Sequence, residues 1–211
     1  MLKTRLKISS VNNLTEARYF SAMGVEWMGF DFNPESPRYV DVETAKEISG
    51  WLAGPRFLGE FGSHPVELVN EVSRHLGFEI VQTDIDLDLN HLDPKISSLI
   101  HKVPISANVQ ETALEHFLEE RTRWTSQFLL DFSSSVQWQT VKENKVLSVA
   151  FLKDLLEEYD VLIKFDFTKE NVLEIVETLQ PLGIDLSGSN ELQTGMQAFD
   201  EVGEMLELLE I

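Results

Sequence analysis

EWMGFDFNPESPRY, residues 26–39, reads as a strand over Glu26–Phe32 that runs into a loop over Asn33–Tyr39. Met28, Phe30 and Phe32 are large and apolar, whereas Gly29, Asp31 and Asn33 between them are small or polar, so the strand has two unlike faces. One face packs and the other is free for chemistry. Pro34 and Pro37 stiffen the loop and remove two backbone donors, which holds Arg38 near the carboxyl end of the strand. A cation fixed there is placed to meet an anion, although the same spacing also suits a plain surface arginine in a rigid loop.

Outward from this stretch the same alternation repeats. Short runs rich in Val, Ile, Phe and Leu alternate with amphipathic segments, the pattern of strand–helix units around a parallel sheet. The strands are expected at Arg5–Val11, Glu26–Phe32, Arg56–Gly62, Phe78–Asp84, Val103–Val109, Gln127–Phe132, Val161–Phe167 and Ile184–Ser187. Helices are expected from Asn13 as a cap to Gly24, then over Asp41–Ala53, Pro65–Leu76, Glu111–Arg121, Ser148–Glu158, Lys169–Leu179 with Thr168 as cap, and Asp200–Glu210. Between the fourth and fifth strands Leu87–His101 is a weaker segment interrupted by Pro94, and Ser133–Lys145 is a long polar loop. Eight such units in 211 residues predict an α/β fold, a (β/α)8 TIM barrel in a single domain, near the short end of that fold's size range. A doubly wound open sheet is the runner-up, but no glycine-rich dinucleotide fingerprint follows the first strand.

In a barrel one parity of each strand faces the helices and the other faces the interior. Phe128, Leu130 and Phe132 oppose Leu129 and Asp131; Val161, Ile163, Phe165 and Phe167 oppose Leu162, Lys164 and Asp166; Ile184 and Leu186 oppose Asp185 and Ser187. The interior parity collects Lys7, Ser9, Asp31, Gln82, Asp84, Asp131, Lys164, Asp166 and Ser187 toward the carboxyl ends, where barrel enzymes carry their sites. The same set also reads as mutually satisfied lysine–carboxylate pairs filling the barrel. Asp31, Asp84, Asp131 and Asp166 are hard oxygen donors, but carboxylates on four strands need not converge, so no metal site is assigned. His64, His75, His91, His101 and His116 fall at no clear strand end and are assigned to surface or helix positions.

Composition removes several classes. With no cysteine there is no disulfide, thiolate metal site or cysteine nucleophile. A net charge of −19 repels nucleic-acid backbones and anionic membranes. No apolar run approaches the roughly 20 residues of a membrane span, and MLKTRLKISS lacks the apolar segment of a signal peptide, so a cytoplasmic protein is expected. A monomer and a homodimer paired through loops both fit.

The residues resemble those of the phosphoribosylanthranilate isomerases, single-domain barrels of tryptophan biosynthesis. Leu6–Ser9 (LKIS) stands where that family has a Lys-Ile-Cys-Gly signature, and Gly29–Val40 (GFDFNPESPRYV) follows its Gly-Phe-x-Phe-x-Pro-x-Ser-Pro-Arg-Tyr motif. Leu58–Phe61, Val81–Gln82, Leu129–Asp131 and Asp185–Glu191 keep the family's order. The resemblance implies an Amadori rearrangement of a phosphorylated sugar–anthranilate conjugate without a cofactor. A general acid opens the sugar ring and a general base takes a proton from the neighbouring carbon. It further implies Asp131 as the acid, Ser9 at the position of the basic cysteine, and Arg38 against the anthranilate group. Substrate contacts are expected from Lys7, Asp31, Asp84, Lys164, Asp166 and the turn Ser187, Gly188 and Ser189.

Three departures accompany it. A serine hydroxyl is too weakly acidic to act as an alkoxide near neutrality unless a base activates it, a role open to Lys7 or Asp31. Lys164–Phe165–Asp166 replaces a phosphate-binding Ser-Gly-Gly, and Ser133–Lys145 contains no glycine. The turn after the eighth strand keeps its small residues. These exchanges predict weak or absent isomerase activity, with a barrel that binds a small ligand or a protein partner as the alternative.

Overall fold

The computed structural model of the chain describes residues 2–133, 135–188, 191–193, 196–197 and 199–210. Eight parallel strands follow one another in chain order and close into a barrel: β1 (Arg5–Ser9), β2 (Trp27–Asp31), β3 (Arg56–Glu60), β4 (Ile80–Thr83), β5 (Ser98–Pro104), β6 (Gln127–Asp131), β7 (Val161–Lys164) and β8 (Gly183–Ser187). The helices are α1 (Leu14–Ala22), α2 (Val42–Gly50), α3 (Val66–Leu76), α4 (Glu111–Arg121), α5 (Trp138–Lys142), α6 (Val149–Glu158), α7 (Val172–Leu179) and α8 (Asp200–Leu208). A short antiparallel pair, β9 (Glu191–Gln193) with β10 (Met196–Gln197), follows β8. The barrel expected from the alternation is thus the fold observed. No helix among the described residues is long and apolar enough to cross a membrane.

The chain falls into two compact units. One comprises Leu6–His101 with Leu186–Phe199, the other Met1–Arg5, Lys102–Asp185 and Asp200–Ile211. In the first, the apolar parity of β2 packs as expected. Phe30 stacks on Phe57 and Phe78 with ring centroids 5.8 Å away in each case, and Phe32 stacks on Phe61 at 5.4 Å. Gly59 permits this close approach, because a Cβ there would run into the rings of Phe61 and Phe32. In the second unit Phe132 stacks on Phe165 at 4.2 Å, and Trp138 meets Phe165 edge-on at 5.9 Å.

The caps explain where helices begin. The Asn13, Asp41 and Ser148 side chains accept from the backbone N–H of Glu16, Thr44 and Phe151, starting α1, α2 and α6. Gly77 ends α3 at φ 71°, a left-handed conformation that suits glycine.

Four expectations need correction. β5 lies at Ser98–Pro104, five residues before the expected Val103–Val109, since Pro94 and the Asp- and Asn-rich run before it favour turns and leave Ser98 free to start a strand. His101 is consequently a buried strand residue and not a surface one. The polar loop after β6 contains α5, whose Trp138 and Val141 are buried although their neighbours in sequence are polar. Finally, α7 begins at Val172 with Asn171 in the cap position, and Thr168 lies before it: the Thr168 backbone N–H donates to the Asn171 side chain.

Candidate active site

On β1 the alternation turns Lys7 and Ser9 to the same side, and both are buried. Lys7 Nζ donates to Ser9 Oγ at 2.5 Å and to Glu60 Oε1 at 2.5 Å, so one ammonium bridges the serine of β1 and the glutamate that ends β3. Glu60 Oε2 accepts from the Ser10 backbone N–H at 3.0 Å and from Ser10 Oγ at 3.1 Å. Ser10 takes a left-handed conformation, φ 57°, which aims that N–H at the carboxylate. Gly29 on β2 completes the arrangement, because a Cβ there would collide with the Glu60 carboxylate. Gln82 on β4 pairs in register with Glu60, and its buried Oε1 has no hydrogen-bond partner among the described residues. A buried acceptor without a donor costs about 1–3 kcal/mol.

Arg38 meets an anion, as its loop suggested, but the anion belongs to the chain. Its Nη2 donates to Glu16 Oε1 at 2.8 Å and Oε2 at 2.7 Å, and its Nε donates to the Ser10 carbonyl at 2.9 Å. Glu16 is completely buried in the first turn of α1, where it also accepts from the Asn12 N–H at 3.2 Å. Asn13 and Glu16 together form a variant of the reciprocal capping box. Gly188 packs directly against this ion pair, with no room for a side chain, and its N–H donates to the Ser9 carbonyl at 3.1 Å.

In the other unit Asp131 ends β6. Its Oδ1 accepts from the Ser133 N–H at 3.1 Å and Oγ at 2.6 Å, and Lys102 of β5 approaches Oδ2 at 3.3 Å. Lys164 of β7 reaches Asp185 of β8 at 3.4 Å, with Asp185 fully buried. These contacts leave the Asp131 carboxyl fixed in direction and close to a cation.

Of the residues singled out from sequence, Lys7 and Ser9 are brought together, and Arg38 and Gly188 are brought together. Asp31 accepts from the Asn33 N–H at 2.9 Å and so shapes the loop that carries Arg38. Asp84, Asp166 and Ser187 are exposed, and Ser189 lies outside the described residues. No group of three or more acidic or histidine side chains among the described residues is arranged to hold a metal ion. Glu60, Glu16 and Lys102 are not among the residues expected from sequence. Glu60 shares the interior parity with Leu58, opposite Phe57, Gly59 and Phe61, so the rule applied to the other strands would have found it. Asn13-x-x-Glu16 is a capping signature, and Lys102 was hidden by the misplaced fifth strand.

The profile of the family described as N-(5'phosphoribosyl)anthranilate (PRA) isomerase matches residues 6–207. Among relatives, the N-(5'-phosphoribosyl)anthranilate isomerase of Sulfurihydrogenibium sp. is 26% identical over 97% of this chain and 98% of its own. That of Thermotoga neapolitana is 29% identical over 96% of both. The crystal structure of phosphoribosyl anthranilate isomerase from Thermotoga maritima superposes with a TM-score of 0.76 over 98% of both chains at 23% identity, a likeness of fold. A match from β1 to α8 takes in the strand ends that carry Lys7, Ser9, Glu60 and Asp131, and the chain belongs to the N-(5'-phosphoribosyl)anthranilate isomerase family.

Proposed function

We propose that the chain catalyses the family's reaction, the Amadori rearrangement of N-(5'-phosphoribosyl)anthranilate to the corresponding aminoketose, with Asp131 as the general acid. The observation that carries this reading is the Asp131 carboxyl at the carboxyl end of β6, fixed by Ser133 and approached by Lys102. Opening the furanose ring needs a proton delivered to the ring oxygen, and a carboxyl whose direction is set before substrate arrives delivers it without reorganisation. The reaction conserves atoms and oxidation state, so it calls for no cofactor.

A second reading, a barrel of this family that binds a ligand without isomerising it, is favoured by one observation. Arg38 and Lys164, the cations best placed to receive a carboxylate or phosphate, already face Glu16 and Asp185. Growth of a tryptophan auxotroph lacking the isomerase separates the two. Rescue by the wild-type chain and not by Asp131→Asn supports the isomerase; no rescue by a chain that is expressed and folded supports the binding role.

A further inference from the structure

Resting on the isomerase reading, we propose that Glu60 is the general base of the rearrangement, in place of the residue at position 9. The reaction needs a group that accepts the proton on the sugar carbon next to the imine. Three polar side chains of the β1 and β3 ends are locked together, and their chemistries differ. Lys7 is an ion-paired ammonium with no exposed surface, a donor that cannot touch a substrate. Ser9 has a hydroxyl that is no base near neutrality, and Lys7 donates to its oxygen. Glu60 is a carboxylate that retains a small exposure, 7% of its side chain, at the carboxyl end of its strand. It lies one ammonium nitrogen away from the serine that occupies the family's base position.

The surroundings are built for a carboxylate. Each Glu60 oxygen receives at least one donor, from Lys7 on one side and Ser10 on the other, and lone pairs remain for a further proton. Gly29 leaves the space the carboxylate occupies. These contacts fix the direction of the group before substrate arrives, which is what an efficient proton acceptor requires.

The step balances within the substrate. Once the ring has opened to the cationic imine, the adjacent C–H bond breaks and its proton goes to a Glu60 oxygen. The electron pair forms a carbon–carbon double bond while the imine π pair returns to nitrogen, giving a neutral enolamine. Conversion to the ketone then adds a proton to the former imine carbon and removes one from the hydroxyl oxygen, so no oxidant or reductant takes part.

The test compares turnover of phosphoribosylanthranilate by the wild type, Glu60→Gln, Glu60→Asp and Ser9→Ala, with circular dichroism as the check on folding. Glu60→Gln, nearly the same shape, is expected to lose about 10²–10⁴-fold in kcat, the usual contribution of a general base, with KM within a few-fold. Glu60→Asp is expected to fall between the two and to show a larger isotope effect when the abstracted hydrogen is deuterium; it also decides the matter if Glu60→Gln does not fold. Ser9→Ala, which leaves the Glu60 carboxylate in place, is expected to lose clearly less than Glu60→Gln does. A Glu60→Gln enzyme within tenfold of wild-type kcat, or a Ser9→Ala loss equal to that of Glu60→Gln, overturns the assignment and leaves the isomerase reading standing. A wild type without turnover removes the reaction itself, and the assignment with it.

Discussion

Replacing Arg38 by methionine removes a guanidinium that makes two hydrogen bonds to Glu16 and one to the Ser10 carbonyl, and leaves the buried Glu16 carboxylate without that cation. Breaking one side of a buried ion pair costs about 3–5 kcal/mol, because the remaining charge is stranded in low dielectric. Arg38 keeps 21% of its side-chain exposure, so solvent screens part of the interaction and the loss belongs at the lower end, about 3 kcal/mol. For a chain of 211 residues that corresponds to a fall in Tm of roughly 6–12 °C. Urea denaturation followed by circular dichroism and by tryptophan fluorescence measures it, provided the two transitions coincide. The companion Glu16→Gln and the double variant close a thermodynamic cycle in which the double costs clearly less than the sum of the singles. A loss below about 1 kcal/mol for Arg38→Met, or strict additivity, would refute the view that Arg38 is an internal counter-ion, and would return it to the substrate.

Other consequences are smaller or more local. Gly29→Ala is expected to destabilise by about 1–3 kcal/mol, because the new methyl displaces a Glu60 carboxylate fixed by Lys7 and Ser10, and most of the loss should vanish in a Glu60→Ala background, read from urea midpoints. Asn13→Ala should cost about 1 kcal/mol at the start of α1 in the same assay. Asp41 is held below the ordinary carboxylate range by the Thr44 backbone N–H and then by the Thr44 hydroxyl. Because the folded value lies below the unfolded one, the Asp41 contribution is whole above that range and disappears as pH falls through the depressed value. Asp41→Ala should therefore lower the urea midpoint at neutral pH and leave it unchanged in strong acid.

The fold was legible because strand parity and helix caps are local properties. The burial of the Phe30 and Phe32 face, the capping by Asn13 and the glycine ending α3 all follow from neighbours in sequence. β5 was misplaced because Leu87–His101 carries strong turn formers and a proline, and α5 because a five-residue helix with only two buried residues leaves little periodicity to read. The site was half legible. Lys7, Ser9 and Asp131 stand out as polar residues of apolar strands, but the partner of Lys7 is 53 residues away, and the carboxylate that meets Arg38 lies on a helix expected only to pack. Ion pairing across such separations is set by tertiary structure, and neither charge pattern nor spacing specifies which lysine meets which carboxylate.

Isomerisation of phosphoribosylanthranilate with Asp131 as acid is measured by following the loss of the substrate's anthranilate fluorescence with purified wild type and Asp131→Asn. The wild type is expected to turn over, and Asp131→Asn to lose about 10²–10⁴-fold in kcat with the fold intact. A folded wild type that leaves the fluorescence no different from buffer alone, or an Asp131→Asn variant as fast as the wild type, would contradict it.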